Sequence, residues 1–151
     1  MSWTGGWDRQ LSIDITALVE LKTDHIVSLV TDEDMERLRV TELPQEIASH
    51  GIDWTHLPFE DSTAPNREWL KAAKPLFSSL LTSIPEGENV VVHCMGGMSR
   101  AGTVVAIYLW LRGSSMEDAI SKVREERSSN AINHWQQAFL YSLEQTGYDV
   151  E

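Results

Sequence analysis

The stretch from residue 89 to residue 111 constrains the fold of this chain more than any other part of its sequence. Asn89-Val-Val-Val-His93 is an apolar, β-branched run, which is typical of a central strand covered on both faces. A loop with two adjacent glycines follows it. Residues 100–111 are then apolar on nearly every side, which predicts a buried helix. A buried strand that leads through a glycine loop into a buried helix indicates an α/β fold.

The rest of the chain alternates strand and helix patterns in the same way. Two further runs predict strands, at 25–30 and 52–57. Apolar residues recur at helical spacing over 31–39, 43–50, 69–84, 116–123 and 133–145. Pro75 is expected to kink or divide its helix, and Ser114-Ser-Met-Glu117 has the form of a capping box. We therefore predict a single three-layer α/β/α domain over residues 1–151, with a mainly parallel central sheet flanked by helices.

Charge and composition argue against several classes of partner. The formal net charge of −11 disfavours a nucleic-acid backbone or an anionic membrane as the main partner. No apolar run approaches the roughly 20 residues that span a bilayer, and no secretory signal is visible, so we expect a cytoplasmic location. We expect no cofactor and no metal, since no ligand-like spacing links the histidines, which are His25, His50, His56, His93 and His134.

The loop between the strand and the buried helix carries the candidate chemistry. Cys94 is the single cysteine and follows the predicted strand, while Arg100 opens the predicted helix. A lone cysteine is most often a small buried side chain, so its neighbours decide its role. Backbone N–H groups beside a helix N-terminus form an anion site, and that positive environment favours a thiolate. Arg100 can also hold two phosphate oxygens at once with its planar fork, which lysine cannot do.

Three neighbours of Cys94 fit the same reading. Gly96 and Gly97 permit a close approach of the backbone to an anion, and they permit a positive φ. His93 can hydrogen-bond the loop backbone and fix the surroundings of the cysteine, and it can equally be a core histidine. The sequence therefore predicts a phosphate-binding loop around a nucleophilic thiol.

The segment His93-Cys-Met-Gly-Gly-Met-Ser-Arg100 fits the signature Cys-x-x-Gly-x-x-Arg, and with it the chain resembles the protein tyrosine and dual-specificity phosphatases. It looks closest to the branch of the cyclin-dependent-kinase-associated phosphatase. The segments 29–34, 56–65 and 129–137 resemble that branch in the same order, so the resemblance covers nearly the whole chain. It implies a phosphotyrosine protein phosphatase II-like fold and an enzyme without a cofactor.

The resemblance also implies roles for individual residues. Cys94 corresponds to the nucleophile that forms a phosphocysteine, and Asp61 to the general acid that later serves as base. Glu60 adjoins Asp61 and competes with it for that role. Gln137 falls where relatives carry a glutamine that positions water. The phosphate would be held by Arg100 and by backbone amides from Met95, Gly96, Gly97, Met98 and Ser99.

One position departs from the family pattern. Many relatives carry Ser or Thr directly after the signature arginine, where the hydroxyl stabilises the departing thiolate, and this chain has Ala101. Ser99 and Thr103 are the nearby hydroxyls that can substitute for it. If neither does, the phosphocysteine breaks down slowly.

Residues 95–99 contain no Lys or Arg, whereas relatives that act on phosphoinositides often place basic residues there. This favours a phosphoprotein substrate, with phosphotyrosine first and phosphoserine or phosphothreonine in addition. The alternative is a catalytically weak module that binds phosphopeptides or a kinase. Sulfur transfer and arsenate reduction also use cysteine loops, but arsenate reduction usually recruits further cysteines, and rhodanese-like loops usually lack this ending.

Overall fold

The computed structural model describes residues 2–4, 22–37, 41–94 and 99–148. These ranges contain four strands, which are β1 (Ser2–Thr4), β2 (His25–Ser28), β3 (Asp53–His56) and β4 (Val90–His93). Every pairing in the sheet is parallel and the strand order is β1-β4-β2-β3. The strands β4 and β2 are therefore central, as the β-branched run of β4 predicts. The pattern does not predict β1, because three residues are too few to show an alternation.

The helices of the described ranges lie on both faces of this sheet. They are α1 (Asp32–Arg37), α2 (Leu43–Ser49), α3 (Arg67–Ser83), α4 (Ser99–Leu111), α5 (Met116–Glu126) and α6 (His134–Thr146). The shorter pair, α1 and α2, covers one face, and the other four cover the opposite face. None of these described helices is both long and apolar enough to cross a membrane.

Successive residues of the central strands enter two separate apolar clusters. Ile26 and Val91 pack with the first helix pair, whereas Val27, Val90 and Val92 pack with α3 to α6. Because side chains alternate between the two faces of a strand, a strand that is covered on both faces has to be apolar throughout. The α/β class, the three layers and the parallel sheet predicted from the sequence are confirmed.

Two details of the helices differ from the prediction. Of the two effects predicted for Pro75, a kink or a division of its helix, division is wrong, because α3 runs unbroken through the proline. Pro75 and Lys71, whose carbonyl loses its hydrogen bond to the proline, are both exposed, so water can take the place of the missing bond. The N-cap of α5 is Ser115, whose hydroxyl accepts the Asp118 N–H at 3.1 Å. The predicted capping box at Ser114 is thus one residue too early.

Gly102 sets the approach of α4 to its neighbours, just after the predicted site loop. A Cβ at this position would lie 3.0 Å from the carbonyl oxygen of Ala131 and 3.1 Å from Val123 Cγ1. Both distances are shorter than ordinary van der Waals contact, and one of the two partners is backbone. The position therefore has no room for a methyl group unless α4 shifts.

We expect Gly102→Ala to lower the free energy of unfolding by about 1–3 kcal/mol, the usual cost of overpacking a core. Helix propensity alone would make the alanine variant about 1 kcal/mol more stable. The sign of the measured change therefore shows whether overpacking or helix propensity dominates. Urea denaturation measures it, with Ser121→Ala on the exposed face of α5 as a control that changes stability little. A Gly102→Ala variant more stable than the wild type would contradict the close packing.

Candidate active site

Cys94 is the first residue after β4, and α4 begins at Ser99. Its side chain is only 2% exposed, and the backbone N–H of Ala101 points at its sulfur with an N–S distance of 3.4 Å. This N–H belongs to the first turn of α4, where amides have no partner within the helix. The helix N-terminus thus presents a hydrogen-bond donor and a positive dipole end to the sulfur.

Arg100 is fully buried, with 0% of its surface exposed. One of its terminal nitrogens, Nη1, donates to three oxygens. They are Asp34 Oδ2 at 2.8 Å, the carbonyl of Phe59 at 3.0 Å and the carbonyl of Leu29 at 3.4 Å. A buried guanidinium requires such compensation, because its charge is costly to remove from water. These contacts fix the orientation of the guanidinium plane.

The opposite edge of Arg100 consists of Nε and Nη2. Both nitrogens are buried and have no hydrogen-bond partner among the described residues. The nearest acidic oxygen to Nε is Asp61 Oδ1 at 3.6 Å, which is an ion-pair distance but too long for a hydrogen bond. Two parallel N–H groups on one edge of a guanidinium match the spacing of two oxygens of a carboxylate or phosphate. The free edge is thus suited to a bidentate oxyanion.

Asp34, in α1, is the counter-charge that the sequence analysis did not identify. Its carboxylate is almost fully buried and also accepts from the backbone N–H of Thr31 at 3.1 Å. Burial acts to raise the pKa of Asp34, but the hydrogen bonds from Arg100 and Thr31 and the charge of Arg100 outweigh it, so the pKa lies below its usual value. Asp34 therefore stays ionised beside Arg100 at neutral pH.

His93 is fully buried and belongs to a hydrogen-bonded network of polar side chains. Its Nε2 lies 2.5 Å from Ser28 Oγ, and the indole N–H of Trp54 donates to the same oxygen at 2.7 Å. Burial, followed by the nearby Arg100 and His56, lowers the pKa of His93 to about 3. The imidazole is thus neutral at pH 7. It contributes a fixed orientation next to Cys94 and no charge.

The turn after Phe59 carries the two acidic residues that compete for the role of general acid. Asp61 has a side chain that is 56% exposed, and its Oδ1 faces Arg100 Nε. Glu60 is exposed, and its backbone carbonyl accepts both the N–H and the hydroxyl of Thr63, at 3.2 and 2.7 Å. The contact with Arg100 belongs to the carboxylate of Asp61, which favours Asp61 over Glu60.

The structure distinguishes two neighbouring glutamines in α6. Gln137 is half-buried, and its Oε1 accepts from Nη2 of Arg124 at 2.8 Å. Gln136 is fully buried, and its Nε2 donates to the carbonyl of Thr63 at 3.1 Å. The family resemblance points to Gln137 as the residue that positions water, and the side chain that contacts the Asp61 turn is that of Gln136.

The hydroxyls that can replace the missing one at Ala101 are placed as follows. Thr103 donates its hydroxyl to the carbonyl of Ser99 at 2.7 Å, so its proton is used inside the helix. Ser99 is the first residue of α4. Met95, Gly96, Gly97 and Met98, whose amides the sequence predicts to bind phosphate, lie outside the described residues. No group of three or more His, Cys, Asp or Glu side chains suited to a metal occurs in the part of the chain that the structure describes.

These groups together suit displacement at a tetrahedral oxyanion. The Cys94 sulfur faces the N-terminus of α4, and Nε and Nη2 form the free edge of Arg100. The partly exposed carboxylate of Asp61 lies beside that edge. A nucleophile, an oxyanion clamp and a proton donor are the parts that transfer of a phosphoryl group to sulfur requires.

Comparison with known proteins agrees with this geometry. A family model described as "Swiss Army Knife protein, DSP-PTPase phosphatase domain" matches residues 6–146. Human protein tyrosine phosphatase type IVA 3 is 36% identical over 93 residues, which cover 59% of this chain and 49% of that protein. Mouse cyclin-dependent kinase inhibitor 3 is 25% identical over 125 residues, which cover 82% of this chain and 58% of that protein. The chain thus spans about half the length of the curated relatives it matches.

Solved structures show the same fold. The crystal structure of kinase associated phosphatase, with its catalytic-site cysteine replaced by serine, aligns with a TM-score of 0.82 and 25% identity over 91% of this chain and 78% of that one. The structure of Tk-PTP in its active form aligns with a TM-score of 0.71 and 30% identity over 95% and 90% of the two chains. The phosphatase fold that the sequence resemblance implies is confirmed.

We expect Asp34→Asn to lower the free energy of unfolding by about 3 kcal/mol at pH 7, because the buried Arg100 loses its counter-charge. Asp32→Asn is the matched control, since Asp32 is an exposed carboxylate on the same helix and its loss should cost little. Urea denaturation of the two variants and the wild type measures the difference.

The same pair of variants tests the pH dependence. The lowered pKa of Asp34 means that its stabilisation is complete above the unfolded pKa of about 3.9 and is lost as the pH falls through the folded value. The difference between wild type and Asp34→Asn should therefore shrink as the pH is lowered from 7 towards 3. A difference independent of pH would show that the charge of Asp34 is not what stabilises the fold.

Proposed function

This chain belongs to the DSP-PTPase phosphatase family, and from that premise we propose that it is a protein phosphatase that works through a phosphocysteine intermediate. The observation that carries the proposal is the free edge of Arg100, formed by Nε and Nη2. Two buried N–H donors that have no hydrogen-bond partner among the described residues, in the same helical turn as the N–H that points at Cys94, form an oxyanion clamp beside a nucleophile.

In the first step the Cys94 thiolate attacks phosphorus, so an S–P bond forms as the bond from phosphorus to the leaving oxygen breaks. Asp61, in its protonated form, gives its proton to that oxygen, and the dephosphorylated side chain leaves neutral. The Nε and Nη2 groups of Arg100 hold two of the equatorial oxygens. Backbone amides of the loop before α4 hold the third and stabilise the charge of the transition state.

In the second step water attacks the phosphocysteine. Asp61, now a carboxylate, takes a proton from the water, the S–P bond breaks and inorganic phosphate is released. The departing thiolate of Cys94 is stabilised by the N–H of Ala101, and the hydroxyl of Thr103 is already donated to a helix carbonyl. Among the described residues the N–H of Ala101 is the donor to this sulfur and no hydroxyl joins it, so we propose that this second step limits turnover.

The chemistry of the loop supports a phosphoprotein substrate. Residues 95–99 carry no basic side chain that would bind the additional phosphates of an inositol lipid. We therefore propose phosphotyrosine as the first substrate, with phosphoserine and phosphothreonine as further ones. The nucleophile acts only while it is reduced, which fits a cytoplasmic phosphatase, since the cytoplasm keeps thiols reduced. The net charge of −11 disfavours nucleic acid and anionic membrane as partners.

We expect the protein to hydrolyse para-nitrophenyl phosphate in the presence of EDTA, and we expect Cys94→Ser to abolish this activity, because a serine hydroxyl is not ionised at neutral pH. Release of para-nitrophenol measures both. A folded wild type that binds a phosphotyrosine peptide without hydrolysing it would replace the enzyme proposal by the binding-module alternative. Activity that survives in Cys94→Ser would exclude Cys94 as the nucleophile.

We expect Ala101→Ser to speed breakdown of the phosphocysteine about tenfold, since a hydrogen bond to a charged sulfur is worth about 1.5 kcal/mol. Stopped-flow release of para-nitrophenol should show a burst in the wild type and a smaller burst with faster steady turnover in the variant. Thr103→Val is the control, because the hydroxyl of Thr103 is used inside α4. A variant that leaves both the burst and the steady rate unchanged would place the slow step elsewhere.

A further inference from the structure

The turn from Glu60 to Thr63 has few internal contacts that would fix its position. All four of its residues are exposed, and the turn is closed only by the bonds from Thr63 to the carbonyl of Glu60. Ser62 has φ +64°, a left-handed conformation that non-glycine residues seldom adopt. A turn of this kind keeps a defined position only if another part of the protein holds it.

The first turn of α6 supplies these contacts from more than 70 residues away in the sequence. Nδ2 of Asn133 donates to the carbonyl of Ser62 at 3.0 Å, and Nε2 of Gln136 donates to the carbonyl of Thr63 at 3.1 Å. Gln136 is 0% exposed, so its bond is shielded from competing water. Asp61 directly precedes the two residues whose carbonyls are held.

The oxygen atoms of the same two side-chain amides cap α6. Oδ1 of Asn133 accepts the N–H of Gln136 at 2.9 Å, and Oε1 of Gln136 accepts the N–H of Asn133 at 3.0 Å. Each amide therefore uses its oxygen for α6 and its nitrogen for the turn. Because the capping box fixes the oxygens, the two N–H donors have a fixed direction before any substrate arrives.

We propose that Asn133 and Gln136 are positioning residues that hold Asp61 in place for proton transfer, an inference that rests on the proposed role of Asp61 as general acid. A general acid has to reach within hydrogen-bond distance of the leaving oxygen, and a misplacement of about 1 Å can cost a hundredfold in rate. With Ser62 and Thr63 tied to α6, the Asp61 carboxylate stands 3.6 Å from Arg100 Nε, beside the clamp that would hold the phosphoryl group.

The chemistry of the amides allows anchoring to be separated from capping. Asn133→Asp and Gln136→Glu keep the oxygen that caps α6 and replace the N–H donor by an acceptor, which cannot bond a carbonyl. Asn133→Ser remains a good N-cap and is uncharged, but its shorter side chain loses the donor to Ser62. Asn133→Asp and Asn133→Ser should keep the melting temperature of the wild type to within a few degrees. Gln136→Glu places a carboxylate where the side chain is 0% exposed, so it should melt at a lower temperature, and its rates are measured well below that temperature.

The rate should depend on the leaving group. The constant to compare is kcat/KM, because it reports formation of the phosphocysteine even when its breakdown limits kcat. With phosphotyrosine, whose leaving phenol needs a proton, we expect kcat/KM of the three variants to fall at least about tenfold. With para-nitrophenyl phosphate, whose leaving group departs without a proton, kcat/KM should change far less. Asp61→Asn should show the same pattern at full size. Gln145→Ala, on the exposed last turn of α6, should match the wild type on both substrates.

The outcomes separate the two proposals. If Asp61→Asn hydrolyses phosphotyrosine as fast as the wild type, the acid role of Asp61 fails and the positioning role fails with it. Suppose instead that Asp61→Asn lowers kcat/KM on phosphotyrosine while Asn133→Ser and Gln136→Glu keep the wild-type value. The positioning role of Asn133 and Gln136 is then overturned, and the phosphatase mechanism stands. A loss in Asn133→Asp without a loss in Asn133→Ser would be an effect of charge, and it too would overturn the anchoring by Asn133.

Discussion

The buried contact between Arg100 and Asp34 is the interaction on which the rest of the site depends. The acceptors of Nη1 come from three separate places in the chain: Leu29 directly after β2, Asp34 in α1, and Phe59 in the segment after β3. A guanidinium removed from water is tolerated only with such a set of acceptors. One side chain thus joins the carboxyl ends of two strands to the start of α4, and its remaining edge can point in only one direction.

This pairing changes how a chain with a net charge of −11 can bind an anion. The charge of Arg100 is balanced by Asp34, and burial keeps His93 neutral with a pKa of about 3. The site therefore carries little net positive charge. What remains for a phosphoryl group is a set of oriented donors, the N–H groups at the start of α4 and the free edge of Arg100. Such donors act at short range and are screened little by salt, so they can bind phosphate against a repulsive overall field.

The sequence predicts the parts of the site that lie close together along the chain, and it does not predict contacts between residues that lie far apart along it. Cys94 and Arg100 are six positions apart, so their spacing alone indicates the strand, the loop, the helix and the chemistry together. Asp34 lies 66 positions from Arg100, in a helix whose first turn is acidic throughout. Acidic residues are common at that place for the helix dipole alone, and only burial identifies the one that matters. Gln136, by contrast, shares the helical spacing of the buried Leu140 and Leu143, so the pattern of α6 places it, and not Gln137, on the buried face. What the pattern does not give is its contact with Thr63, which is 73 positions away.

Asp34 and Gln136 occupy the same position in their helices, the third residue after an N-cap. Asp34 accepts the N–H of Thr31 while Thr31 Oγ1 accepts the N–H of Asp34, which repeats the reciprocal cap of Asn133 and Gln136. A side chain locked in this way has a fixed rotamer, and any lone pair or N–H left over has a fixed direction. In α1 it is directed at the oxyanion clamp, and in α6 at the turn of the proposed acid. Capping, which the helices need for their own stability, thus also orders the site before substrate binds, and a site ordered in advance spends less binding energy on reorganisation in the transition state.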